Sequence, residues 1–217
     1  MNFLARPETL ISAGIVGVIV GLIGVTVPSR VYIGTRGQKY SFLNHYISEL
    51  GEIGVSRFAW VFNLGMILAG ICTVIVSLSL GLMLTGFWAK AGLVFGVATG
   101  ISLSLVGVFP MSNMKPHVLA ATAFFRSGLL MFLFFSLAIV LQAGKNPVVP
   151  RATGLVGIIP VLSFGVFLGL MWPMRNQNRE PLDAAGLNRP RAWKLCISEW
   201  SIFFAFIFWI LVIAVVI

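Results

Sequence analysis

Apolar residues in this chain gather into long runs instead of alternating with polar ones. Six such runs stand out: Leu10–Pro28, Phe58–Thr85, Ala91–Phe109, His117–Gln142, Thr153–Trp172 and Ser198–Ile217. A helix needs about 20 apolar residues to cross the hydrocarbon of a bilayer, and each run is of that order. Pro28, Gly86, Pro110 with Pro116, Gly144 with Pro147, and Pro173 punctuate them. The pattern predicts an all-α polytopic membrane protein. Its six transmembrane helices would form one bundle and a single domain over residues 1–217. Met1–Thr9 carries Arg6 and Glu8, and the run after it is too long for a signal core, so it reads as a first span.

Glycine spacing adds a packing expectation. The first span carries Gly14, Gly17, Gly21 and Gly24, the third Gly92, Gly96 and Gly100, and the fifth Gly165 and Gly169. Small faces let helix backbones approach where no hydrophobic effect drives them together. They serve packing within the bundle, or in the lesser reading a contact with a protein partner in the membrane. Pro160 is expected to kink the fifth span.

The longest interruption, residues 29–57, changes character part-way. Ser29–Tyr40 is mixed and polar. From Phe42 onward, Phe42, Leu43, Tyr46, Ile47, Leu50 and Ile53 recur at helical spacing, with His45, Glu49 and Glu52 at i, i+4 and i+7 opposite them. Asn44–Glu52 is thus predicted to be a short amphipathic helix, with Ser41 or Asn44 as its cap and Gly51 and Gly54 at its end. Its apolar stripe would face lipid or other helices, and its His–Glu–Glu stripe a polar cavity or solvent. A half-buried Glu49 would need a partner, His45 or a cation such as Arg57.

Six spans place the first, third and fifth connections on one face of the membrane. That face holds both histidines of the chain, His45 and His117. It also holds Arg30, Arg36, Lys39, Arg57, Lys115 and the basic run from Arg175 to Lys194, against Arg6, Lys90, Lys145 and Arg151 opposite. The positive-inside rule makes the richer face cytoplasmic. The net charge of +9 is scattered over short loops without an aromatic-basic platform, so nucleic acid is not an expected partner. Charged residues are only 10% of the chain, against about 25% in soluble domains. Cys72 and Cys196 have no partner at metal-ligand spacing and read as small buried residues.

Several further polar residues stand out. Pro116 sets His117 in the first turn of the fourth helix, where the helix terminus favours a neutral imidazole or a bound anion. Arg126 lies about 13 Å deeper and on the opposite helical face from His117. A cation at that depth is expected to face the bundle interior, holding a phosphate or pairing with a neighbouring helix near Asn63. Asn63 suits an interhelical hydrogen bond, and Trp172 and Trp193 suit interfacial anchors. His45, Glu49 and His117 have the residue types of an open two-histidine, one-carboxylate metal site, although no metal is the favoured expectation. No cofactor-binding motif occurs, and no cofactor is expected.

Tyr46-Ile47-Ser48-Glu49-Leu50-Gly51, followed by Phe62-Asn63, resembles a signature of the six-span superfamily of damage-regulated autophagy modulators. The proteins that remodel the lipid of glycosylphosphatidylinositol anchors belong to it too. Gly107-Val108-Phe109-Pro110, His117-Val118-Leu119-Ala120-Ala121 and Phe124-Phe125 are similar to its junction between third and fourth spans. The closest likeness is to prokaryotic relatives of unknown function, which implies the cell membrane of a prokaryote. The resemblance marks Ser48, Glu49, Gly51, Asn63 and His117, with Glu49 in place of the eukaryotic Asp. It also implies a lumenal first loop, against the charge count.

The leading functional expectation is binding, and remodelling by acyl transfer or hydrolysis, of a membrane lipid at a site between the first and third loops. Glu49 and His117 would be catalytic, and His45, Ser48, Glu52, Asn63 and Arg126 would bind substrate. A non-enzymatic scaffold or accessory subunit is the alternative. A small transporter is the third reading, weakened by the lack of an internal repeat.

Overall fold

The computed structural model describes residues 3–143, 147–175 and 189–217. The basic run beyond Arg175, with Arg179, therefore lies outside the described residues up to residue 188. Six long helices cross: α1 (Pro7–Val31), α2 (Ala59–Met83), α3 (Phe87–Val108), α4 (Met114–Val140), α6 (Ile158–Arg175) and α7 (Lys194–Val216), with the short α5 (Thr153–Val156) ahead of α6. All are apolar and long enough to span. The predicted all-α polytopic bundle is thus present.

The helices form a closed ring. α1 packs on α2, α2 on α3, α3 on α4, α4 on α6, α6 on α7, and α7 returns to α1. Glycines set the closest crossings. A Cβ on Gly65 would stand 2.9 Å from the Cα of Gly24 where α1 meets α2. A Cβ on Gly100 would stand 2.6 Å from the Gly70 carbonyl oxygen and 2.8 Å from the Val74 nitrogen where α2 meets α3. These obstacles are backbone and cannot swing aside. Gly165 and Gly169 behave differently from expectation. Both are exposed on α6, with open space where a Cβ would lie.

The two ends of the ring are filled unequally. Toward the face bearing residues 84–89 and 149, Leu80, Phe132, Phe135, Ile139, Phe164, Trp209 and Ile213 pack into a dense core. Trp209 stands edge-on to Phe132, with centroids 5.1 Å apart. The opposite face, called here the loop face, carries residues 32–58 and 109–113. There a smaller cluster of Val25, Tyr32, Ile47, Leu50, Phe62 and Met66 ties the first loop to α1 and α2.

Three local expectations are corrected. α1 runs through Pro28 to Val31 and forgoes the one bond that an N–H at position 28 would make to the Gly24 carbonyl. Pro160 does not kink a continuous fifth span. The span breaks at Gly157, and Pro160 falls in the first turn of α6, where its missing N–H is tolerated. The helix expected over Asn44–Glu52 is a five-residue 3-10 helix, Ile47–Gly51, preceded by a turn. An α-helix there would pair the Ile47 N–H with the Leu43 carbonyl. Instead the Trp193 N–H donates to Leu43 O at 2.7 Å, and the Ile47 N–H donates to Glu199 Oε2 at 2.8 Å.

Gly100→Ala should therefore lower stability by about 1–3 kcal/mol through overpacking against α2. Gly165→Ala should be neutral or mildly stabilising, since it only removes a glycine from a helix. Thermal unfolding of the two variants in one detergent measures the contrast.

Candidate functional site

The 3-10 helix at Ile47–Gly51 is the hinge of the site. Its first N–H groups are buried, and two carboxylates satisfy them, one from within the turn and one from a distant part of the chain. The Tyr46 N–H donates to Glu49 Oε1 at 2.8 Å, a local capping arrangement. Ile47 is served by Glu199, in the second turn of α7. At the other end, Asn63 Nδ2 of α2 donates to the Gly51 carbonyl at 3.1 Å. Gly51 has to be glycine: a Cβ would collide with Asn63 Oδ1 and the Phe62 ring.

Glu49 is only 2% exposed. Its cation is Arg189, whose Nη1 lies 2.8 Å from Oε1 and also donates to Asn44 O at 3.0 Å. Tyr32 lies near enough that, after burial, the Glu49 charge raises its phenol. The partners expected for Glu49 were His45 and Arg57. Arg57 is exposed and lies over the Phe58 ring instead. With the Trp193–Leu43 bond, the ion pair clips the first loop to the chain leading into α7.

On the same side of Glu49, His45 is buried among aromatic rings, 5.6 Å from Tyr32 and 5.2 Å from Tyr40 between centroids. Its Nδ1 is 3.3 Å from both the amide nitrogen and the carbonyl oxygen of Ser41, and Nε2 is buried without a partner. Burial holds the imidazole below its ordinary 6.5, against the opposing pull of the Glu49 charge. Half-buried Glu52 is pushed above its ordinary 4.5, first by burial and then by Glu49. Burial, the largest influence, would lower Arg189, but its hydrogen bond to Glu49 and the Glu49 charge together outweigh it and leave it raised.

A separate space opens on the other side of the 3-10 helix. A cavity of ≈ 220 Å³ runs down inside the ring, walled by all six long helices. Its deep wall is largely apolar, with Gly14, Val76, Phe124, Phe206 and Ile210. Tyr46, Ser48, His117 and Glu199 line it at the loop face, and Thr73 and Thr122 lie deeper. His117 Nδ1 is 2.8 Å from Phe109 O, so that nitrogen carries the proton. Ser48 Oγ donates to Met111 Sδ at 3.2 Å.

The seven residues expected at one site thus divide. Ser48 and His117 line the cavity. His45, Glu49 and Glu52 belong to the neighbouring buried cluster around Arg189, and Asn63 braces Gly51 from α2. Arg126 is exposed on the outer face of α4, not turned inward as expected. The inward face of α4 is taken by His117, Ala120, Ser127, Gly128 and Met131, and Arg126 lies about half a rotation away from His117. Among the described residues no three His, Cys, Asp or Glu side chains come close enough to hold a metal, so His45, Glu49 and His117 do not assemble one.

Glu199, Arg189, Tyr32 and Tyr40 were missed. A signal existed for three of them. All three tyrosines of the chain lie in or beside the first loop. Glu199 is one of six acids and opens a span on the face that holds both histidines. For Arg189 the pattern offered only a basic run.

A protein-family model matches residues 15–216, nearly the whole chain from the first span to the last. The chain belongs to the family described as Protein of unknown function (DUF998). No curated protein and no solved structure matches it. Membership supports an integral membrane protein of uncharacterised activity, and it does not reach the autophagy-modulator or anchor-remodelling proteins.

Two measurements test the clip and its neighbour. Arg189→Met should cost about 3–5 kcal/mol, because it leaves the Glu49 charge buried and unpaired. Adding Glu49→Gln should return a large part of that, as a double-mutant cycle of unfolding would show. His45 binds its proton less readily folded than unfolded. Its contribution is therefore complete above pH 6.5 and is lost as pH falls below that value. Wild type should lose stability relative to His45→Gln on acidification below pH 6.5. Glu52 has the opposite sign but is common to both proteins and cancels.

Proposed function

We propose that this protein binds a membrane lipid, holding an alkyl chain inside the ring of helices with the lipid's polar end at the loop face. The observation that carries the reading is the wall of the cavity: largely apolar along its depth, where the Thr73 hydroxyl is spent on the Ala69 carbonyl, with Ser48, His117 and Glu199 at the loop face. Glu199 and Ile210, near its two ends, are about 16 Å apart along α7 at the usual helical rise. One water needs roughly 10–15 Å³ on this measure, and apolar cavities stay dry. An alkyl chain is the apolar solute that a bilayer supplies in excess. The likeness of the Tyr46–Gly51 and His117 motifs to those of lipid-remodelling proteins supports the same reading.

Turnover of such a lipid by acyl transfer or hydrolysis would use His117 as its base, not Glu49. The neutral His117 ring turns Nε2 away from its Phe109 bond, whereas Glu49 is held by Arg189 and the Tyr46 N–H. One observation favours the scaffold alternative as well: Gly165 and Gly169 present a small outward face on α6.

Gly21 lines the cavity, and a Cβ there would meet nothing within 4 Å. Gly21→Leu should fill the space without disturbing the ring. Wild-type protein should carry co-purifying lipid, seen by native mass spectrometry and by extraction, and Gly21→Leu should lose most of it with its melting temperature within a few degrees. Equal lipid on both, or none on the wild type, would refute the reading.

A further inference from the structure

We propose that this protein carries a second lipid site on the outside of the ring, where the start of α2 holds the phosphate of an anionic membrane phospholipid. The site shares no lining residue with the cavity and does not depend on what the cavity holds.

An open groove lies at the loop-face end of α2, lined by Ser56, Arg57, Trp60, Asn63, Leu64 and Ile67 among others. Trp60, Leu64, Leu68 and Ile71 are exposed at steps of four, four and three. They mark the side of α2 that is turned to lipid. Trp60 falls in the first turn of the span, the level at which interfacial tryptophans meet headgroups.

Three kinds of donor line this groove. The first is the helix terminus itself. No side chain caps α2. The Ala59 N–H bonds to Ser56 O, and the N–H groups of Val61 and Phe62 bond to Phe58 O. That leaves the Trp60 N–H without a partner among the described residues, at the positive end of a 25-residue helix dipole. The second is Ser56, which is 6% exposed and whose hydroxyl has no partner among the described residues. A buried hydroxyl without a hydrogen bond is costly, so its proton calls for an acceptor. The third is Arg57, exposed, with its guanidinium carbon 5.7 Å from the centre of the Phe58 ring. Stacking occupies the face of a guanidinium and leaves its N–H edges for a bidentate acceptor. Asn63 is not one of the donors. Its Nδ2 is spent on the Gly51 carbonyl, and its Oδ1 lies toward the same glycine.

A phosphodiester fits this set, because its non-bridging oxygens carry lone pairs for several donors at once. The membrane is its source. Past Trp60 the groove continues over Leu64 and Ile67, an apolar path that suits an acyl chain and that a free phosphate would not use. A lipid of net negative charge is preferred over a zwitterionic one, whose own cation competes with Arg57 for the phosphate. One interfacial cation is worth about fivefold in affinity for an anionic lipid.

The test is native mass spectrometry of the full chain in detergent, titrated with phosphatidylglycerol or with phosphatidylcholine of identical chains. Every protein carries Gly21→Leu, so that the ring cavity is filled and does not contribute. Phosphatidylglycerol should bind about fivefold more tightly than phosphatidylcholine. Arg57→Gln should abolish most of that preference, whereas Lys115→Gln, which removes another exposed cation of the loop face, should keep it. Ser56→Ala should weaken phosphatidylglycerol severalfold. Its melting temperature in lipid-free detergent should be unchanged or raised, since only an unpartnered buried hydroxyl is lost. Glycerol phosphate at millimolar concentration should not displace the lipid. Equal binding of the two lipids would overturn the proposal. So would equal losses in Arg57→Gln and Lys115→Gln, which would mean diffuse surface charge. Displacement by glycerol phosphate would replace the lipid with a free anion, and unchanged binding in Ser56→Ala would show that the groove is not the site.

Discussion

Two adjacent backbone N–H groups, those of Tyr46 and Ile47, organise the functional end of this molecule. Both are buried, and a buried donor without a partner costs about 1–3 kcal/mol. The chain answers with two carboxylates, Glu49 from within the turn and Glu199 from the last span. Each then imposes a condition of its own. Glu49 is too deeply buried to stand alone as an ion and draws in Arg189, which ties the end of the fifth connection to the first loop. Glu199 brings a carboxylate into the wall of the cavity. One hydrogen-bonding requirement thus closes the ring at the loop face and also places a polar group at its mouth.

The 3-10 helix separates two polar environments with different characters. On one side Glu49, Arg189, Tyr32, Tyr40 and His45 form a packed cluster whose groups mostly satisfy one another. That is the condition for holding a loop in one conformation where solvent is scarce. On the other side Ser48, His117 and Glu199 line the cavity. The first arrangement suits structure and the second suits recognition. Their adjacency explains why residues close in sequence, Ser48 and Glu49, have unlike roles.

Much of the architecture was legible as pattern. Six spans, the shared face of His45 and His117, and the packing glycines of α3 and, apart from Gly21, of α1 follow from hydrophobic run length, parity and small-residue spacing. Legibility failed where tertiary partners replaced local ones. The period of Phe42 to Ile53 is helical, yet Leu43 O bonds to Trp193 and the Ile47 N–H to Glu199, so the local ladder never forms. Arg126 was expected inside because a mid-span cation is costly in lipid, but the inward positions of α4 are occupied by other residues. Gly165 and Gly169 have the spacing of a packing face and no neighbour to pack on.

The amino-acid sequence by itself determined that this chain is a six-span helical membrane protein with its polar chemistry on one face. Hydrocarbon admits only backbones that satisfy their own hydrogen bonds, so apolar run length decides the element. The tertiary structure alone decided which polar residues meet. Glu49 pairs with Arg189 and His117 shares a cavity with Glu199, across separations in the chain that no local spacing encodes. The order in which the helices close their ring sets those neighbours, and that order depends on which small faces fit together in three dimensions.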